Sequence, residues 1–145
     1  MKSSKGFKTI RCTREEMVGK AGSYGICDNC CSMAAQHHWD NLIMLVDYNR
    51  LQALGKSRDI IDLESLKQKL EIFGWAAREE NGHDQNAVYE SLRDLPLCDS
   101  KPSAVIYRTV KGKGVSFMEN DYRWHYGGLT DELLAQALKE VEKAK

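Results

Sequence analysis

The sequence predicts an α/β fold built on an open parallel sheet with crossover helices. Three observations carry this. Residues 42–46, Leu-Ile-Met-Leu-Val, form an apolar run that stops abruptly at Asp47-Tyr48-Asn49. Such a run reads as a buried parallel strand, delivering polar side chains at the carboxyl end where open α/β sheets bind their ligands. Residues 103–110, Ser-Ala-Val-Ile-Tyr-Arg-Thr-Val, form a second clear strand pattern. Between the two, helical and strand patterns alternate at a spacing that requires crossover helices rather than hairpins.

The bulk properties agree with one such domain. A chain of 145 residues can bury a real core but not two ordinary ones. Its 21 basic and 21 acidic residues cancel, so no global field draws it to nucleic acid or to a membrane surface. No apolar run approaches the roughly 20 residues that span a bilayer, and the opening MKSSKGFKTIR lacks the apolar core of a secretory signal. A cytoplasmic location is expected, and five cysteines, an odd number, suit a reducing compartment better than a disulfide framework.

Residues 1–32 show no sustained period and form the segment expected to fit least well. Cys27, Cys30 and Cys31, with His37 and His38 close behind, supply soft or borderline zinc ligands on paper. Folding zinc sites usually draw on two separated knuckles, whereas these candidates all fall within one short stretch, so the bland reading is the stronger. A redox Cys-x-x-Cys would open a helix after a strand, and Gly22-Ser23-Tyr24-Gly25 is no such strand. From Met33 helix-formers lead to His37-His38-Trp39-Asp40-Asn41, the turn into the first strand. The paired histidines are either catalytic or placed to satisfy helix-end carbonyls and meet solvent, and the second reading is favoured.

After that strand a polar loop bends at Gly55. Leu63, Leu66, Leu70 and Phe73 then share one face of a helix that ends before Gly74. Residues 75–79 give a weak strand pattern. Asp84, after Asn81-Gly82-His83, is a candidate cap for a helix lined by Val88, Leu92 and Leu95 and stopped by Pro96. Past the last strand, Lys111-Gly112-Lys113-Gly114 lacks the spacing of a phosphate loop and reads as an exposed turn. A long irregular segment containing Trp124-His125-Tyr126-Gly127-Gly128 follows, and loops of that length usually bind something. Thr130 caps a closing helix with an acidic first turn and a basic end, striped by Leu134, Ala137, Leu138 and Val141.

Taken in order, WDNLIMLVDYNRLQ, LESLKQKLEIFGW, NGHD, KGKGVSFMEND and WHYGG resemble the second half of the thiamine-diphosphate-binding domain of transketolases, above all the split type in which this domain is a separate amino-terminal subunit. The resemblance implies a partial α/β domain over residues 33–145, incomplete on its N-terminal side. It implies a transferase subunit or fragment that moves a two-carbon ketol unit between phosphorylated sugars. The cofactors implied are thiamine diphosphate and Mg2+ or Ca2+. In that family a Gly-Asp-Gly aspartate, a later Asn and a carbonyl two residues beyond it hold the metal. Asn49 matches the Asn and Leu51 the carbonyl, with Asp47 beside them among the cofactor-binding residues, while the Gly-Asp-Gly position falls near Val18-Gly19-Lys20, without a carboxylate. His125 resembles the family histidine that touches cofactor phosphate or sugar, and is the candidate catalytic residue; relatives often carry it one position later, where Tyr126 stands.

The pyrimidine-binding domain would come from a C-terminal transketolase-type chain, in a homo- or hetero-oligomer, and the chain alone is expected to be inactive. Three origins fit the poorly matching residues 1–32: a truncated or frame-shifted remnant, a diverged subunit, or the boundary of a longer protein. The rival function is a non-catalytic α/β assembly module that has lost the cofactor.

Overall fold

The computed structural model describes residues 8–9 and 23–143, with side chains from Cys30 onward. The expectations for Val18-Gly19-Lys20, for the Cys27 side chain and for most of residues 1–32 lie outside the described residues. The described residues divide into two compact units, one drawn from residues 1–48 and 63–108 and the other from residues 49–62 and 109–145.

The first unit is the parallel sheet that the sequence predicts. Strands β1 (Lys8–Thr9), β2 (Leu42–Tyr48), β5 (Ala76–Asn81) and β6 (Ser103–Arg108) lie in the order β1-β2-β6-β5, all parallel. Strand β6 is central, and its Ala104, Val105 and Ile106 are wholly buried, as a continuous apolar run between two strands should be. Strand β5 takes the edge. Its weak pattern, Ala-Ala-Arg-Glu-Glu-Asn, suits a place where only one side pairs, and charges there discourage further strand addition.

Helix α1 (Ser23–Gln36) begins ahead of the expected helix at Met33 and runs across residues 32 and 33. Its Cys31 and Ala34 join Leu42, Met44, Val46 and Tyr48, the alternating positions of β2, in one core with Leu66 and Leu70 of helix α3 (Leu66–Ile72). Trp75 closes that core and donates its indole N–H to the Cys31 carbonyl at 3.0 Å. Helix α3 starts later than its apolar spacing suggests, because Ser65 caps it, accepting from the Gln68 N–H. Leu63 packs on the core from the preceding loop. Gly74, at φ +90°, ends the turn after α3, where a Cβ would stand 2.9 Å from that of Ala35.

Helix α4 (Gln85–Arg93) is capped by Asp84, which accepts from the N–H groups of Asn86 and Ala87 at 2.9 and 3.2 Å. Its inward face differs from the expected stripe. Ser91 is fully buried and Leu92 is 42% exposed. The small hydroxyl fits there because it donates to the Val88 carbonyl at 2.7 Å and meets the Tyr107 hydroxyl at 2.8 Å.

The second unit holds a hairpin in place of the expected polar loop, β3 (Leu51–Gln52) against β4 (Gly55–Lys56), followed by the short helix α2 (Ser57–Ile60). A 3-10 helix, Tyr122–His125, packs on that hairpin. Helix α5 (Asp131–Lys143) is capped by Thr130, whose hydroxyl accepts from the Leu133 N–H at 3.4 Å. It is tied to the preceding loop by Glu140, which accepts from both the N–H and the hydroxyl of Ser116. Of its expected stripe Ala137 is buried, while Leu134, Leu138 and Val141 are 45%, 55% and 44% exposed. Among the described residues no helix is long and apolar enough to cross a membrane.

Candidate functional site

The candidate cation ligands sit in the turn that follows β2. The Asn49 side-chain oxygen accepts the Leu51 N–H at 3.0 Å, so Asn49 and Leu51 are joined in an Asx turn. Between them Arg50 is held at φ +61°, a left-handed conformation uncommon for a side chain of that size. Such outliers persist where surrounding structure imposes them, often at ligand sites. The sequence carries no sign of it, since arginine has no preference for that region. Ser57 N–H donates to the Arg50 carbonyl at 2.9 Å. With Leu51 opposite Lys56 in the register, the ladder's alternation turns the Leu51 carbonyl away from β4, leaving it outside the hairpin's own bonding.

Both candidate ligands are therefore neutral, hard oxygen donors, two residues apart. That chemistry fits magnesium or calcium, which prefer oxygen and take six or more ligands. Asn49 has a second lone pair beyond the one facing Leu51, so its turn and a cation do not compete. The remaining coordination would be left to phosphate oxygens, water and other groups. Among the described residues no cluster of three or more His, Cys, Asp or Glu side chains forms a metal cage.

Asp47 is exposed on the sheet unit, near the end of β2 and opposite Tyr107 in the register. One residue farther along, Tyr48 and Arg108 are paired, and Arg108 is the centre of a charged cluster. Its guanidinium reaches Glu79 at 2.9 Å and Glu64 at 3.2 Å, and lies 4.7 Å from the centroid of the Tyr48 ring. The Glu64 hydrogen bond raises the Arg108 pKa against the lowering effect of partial burial, with Glu79 adding to the rise. None of this was read from the sequence, where an arginine at a strand end suggests only solvent.

The second unit contains an open groove of about 660 Å³, lined among others by Leu51, Lys56, Asp59, Asn120, Asp121 and Arg123. Asp121 caps the 3-10 helix through the Arg123 N–H at 2.9 Å and clamps the Arg123 side chain at 2.6 Å. These contacts, led by the side-chain hydrogen bond, hold the Asp121 carboxyl below its ordinary range. His125 ends the same 3-10 helix, exposed and edge-on to Tyr126 with ring centroids 4.5 Å apart, and is not among the residues lining the groove. The structure thus gathers Leu51 with Asp121 and Arg123, which sequence reasoning passed over.

The glycine loop turns inward on itself. Gly114 N–H donates to Glu119 at 3.0 Å, and the Lys113 ammonium lies 3.5 Å from the same carboxylate oxygen. At Gly112, φ +72°, a Cβ would stand 2.5 Å from the Met118 carbonyl oxygen, so its close approach is to its own loop. Trp124 anchors the loop by donating to the Phe117 carbonyl at 2.8 Å. Of the paired histidines, His38 lies 3.1 Å from the Ser100 carbonyl and His37 stacks on Trp39, an arrangement that suits the structural reading of both.

Comparison with known proteins adds a family to this geometry. Residues 17–142 match the family described as transketolase, thiamine diphosphate binding domain. The chain is 37% identical over 108 residues to an apulose-4-phosphate transketolase subunit of Phocaeicola vulgatus, covering 74% of this chain and 38% of that one. It is 36% identical over 104 residues to the 6-deoxy-6-sulfo-D-fructose transketolase subunit SqwG of a Clostridium species, covering 72% and 38%. Among solved structures, the transketolase of Campylobacter jejuni superposes with a TM-score of 0.74 at 27% identity, over 81% of this chain and 18% of that one. The chain thus spans well under half the length of these relatives.

Proposed function

The chain belongs to the transketolase family, within its thiamine diphosphate binding domain, and on that premise we propose that it is the diphosphate-holding part of a transketolase-type transferase. In this reading it works with a C-terminal transketolase-type chain that carries the pyrimidine-binding domain, in a homo- or hetero-oligomer, and is inactive alone. Its substrates are phosphorylated ketoses and aldoses, and its setting is cytoplasmic. Thiamine diphosphate, when bound, supplies the carbanion chemistry of two-carbon transfer, and the protein supplies binding and orientation. Asn49 through its side-chain oxygen and Leu51 through its carbonyl hold the magnesium or calcium ion that neutralises the diphosphate. Asp47 lies beside them, and His125 offers an exposed imidazole to a phosphate or sugar hydroxyl.

The observation that carries this reading is the Asn49–Leu51 turn, in which two hard oxygen donors are retained at the carboxyl end of β2. The decisive experiment is co-purification with a candidate partner chain, followed by assay with thiamine diphosphate, magnesium, a ketose phosphate donor and an aldose phosphate acceptor. Two-carbon transfer that requires both chains supports the proposal. A stable complex that neither binds the cofactor nor turns over refutes it and favours the assembly-module reading, which Lys20 supports by standing near the expected aspartate.

A further inference from the structure

Arg108 stands where three passages of the chain come together. The chain leaves the sheet unit after Tyr48, returns to it at Leu63, and leaves again after Arg108 itself. Arg108 is the last of these stems and contacts the other two. Its guanidinium lies over the ring of Tyr48, the last residue before the first departure. Its Nη1 and Nη2 reach the two oxygens of Glu64, one residue past the return, at 3.2 and 3.4 Å. Its Nε and Nη2 also reach Glu79 on the neighbouring strand β5, at 3.2 and 2.9 Å.

Two carboxylates already balance this one cation, so Arg108 is poorly suited to bind a phosphate. What its planar fork does well is fix several groups in one geometry, which a lysine point charge cannot reproduce. The side chains of Arg108 and Glu79 are 30% and 29% exposed and that of Glu64 is 42% exposed, so the Glu79 arm is partly desolvated while the Glu64 arm meets more solvent. Residues 49–62, which carry Asn49 and Leu51, are the excursion whose two stems it joins.

We infer that Arg108 is a positioning residue: by fastening Tyr48 to Glu64 it closes the base of the 49–62 excursion and holds the Asn49–Leu51 turn in its cation-binding form. The link to cation binding rests on the functional reading above. The link to the turn does not. Closing a loop at its base removes much of the freedom its residues would otherwise have, and a ligand pair held in place binds without a further ordering cost.

The test uses Arg108→Lys, which keeps the charge but loses the fork, and Glu64→Gln, which weakens one stem and leaves the Glu79 pair. Amide exchange is followed at Leu51, whose N–H bonds Asn49, and at the β6 amides as a control for the sheet. Binding of thiamine diphosphate with magnesium is titrated in the full chain and in its partner complex. In Arg108→Lys, Leu51 exchange should rise and cofactor binding weaken, each about tenfold, the scale of one lost charge-assisted hydrogen bond. Glu64→Gln should move both in the same direction by less, with β6 protection unchanged in each variant. Unchanged Leu51 exchange in both variants overturns the inference, and so does equal loss at β6, which would make Arg108 a general stabiliser of the sheet. If Arg108→Lys does not fold, Glu64→Gln decides. If the unmodified protein binds no cofactor even with its partner, the functional reading fails while Leu51 exchange still judges the positioning role.

Discussion

The indole N–H of Trp75 donates to the backbone carbonyl of Cys31 at 3.0 Å, joining helix α1 to the residue that precedes edge strand β5. Both groups are buried, Trp75 at 3% and Cys31 at 5% exposure. Trp75→Phe would fill most of the space and remove the indole donor, while the Cys31 carbonyl keeps its place in the hydrogen-bond ladder of α1. Losing one such buried hydrogen bond costs about 0.5–1.5 kcal/mol. Urea unfolding followed by circular dichroism should show a lowered midpoint at an unchanged slope. A midpoint equal to that of the unmodified protein would mean the bond contributes nothing.

Gly127 and Gly128 are neighbours with opposite tolerances. A Cβ on Gly127 would stand 2.8 Å from the Trp124 ring, whereas on Gly128 it meets nothing within 4 Å. Gly127→Ala should push Trp124 off the Phe117 carbonyl and cost about 1–3 kcal/mol, the usual penalty for overpacking. Gly128→Ala should stay within about 0.5 kcal/mol. Tryptophan emission and thermal unfolding distinguish the two variants, and equal effects would contradict the packing described.

The Asp121–Arg123 clamp makes a statement about pH. The Asp121 carboxyl is held below its ordinary value, first by the Arg123 side-chain hydrogen bond and then by the Arg123 backbone N–H. For a depressed carboxyl the stabilisation is complete above the unfolded value of about 3.9, and is lost as pH falls through the lower folded value. The 3-10 helix cap should therefore be indifferent to pH near neutrality and weaken only in strong acid. Arg123→Ala should raise the Asp121 midpoint in a carboxyl-detected NMR titration, though not fully to the ordinary value, because the backbone N–H still donates. An unmoved midpoint would rule the side-chain contact out as the main cause.

What local pattern determines was readable in advance. Strand β2 announced itself as an apolar run with a polar stop, Asp84 as a cap, and Thr130 as the start of the closing helix. The spatial order, with β6 between β2 and β5, was not readable, because it is fixed by pairing between residues far apart in sequence. Ser91 went unseen as the packed residue of α4 for a related reason: its burial depends on the Tyr107 hydroxyl across the sheet. The β3–β4 hairpin is too short to show a period, and Arg50's left-handed backbone leaves no trace in residue type. Of the site, Asn49 and Leu51 could be named from family resemblance, while Arg108 became visible only once Tyr48, Glu64 and Glu79 were seen around it.

Asn49 has two tasks that substitution can separate from folding. Its oxygen accepts the Leu51 N–H, and the same amide oxygen is the proposed cation ligand. Asn49→Asp keeps an oxygen in both roles and adds a negative charge facing a dication, so it should preserve the turn and hold or improve magnesium affinity. Asn49→Ala removes the oxygen from both. Magnesium-dependent binding of thiamine diphosphate in the partner complex should then weaken at least tenfold, roughly the low end of what losing even an outer contact to a metal costs. Because Asn49 is only partly buried, neither variant should move the unfolding midpoint by more than about 1 kcal/mol, the typical worth of one hydrogen bond. The contrast between the two variants is the informative quantity. If Asn49→Ala binds as tightly as Asn49→Asp while partner association is intact in both, the cation is held elsewhere, and the Asn49–Leu51 turn is no more than a way for the chain to leave β2.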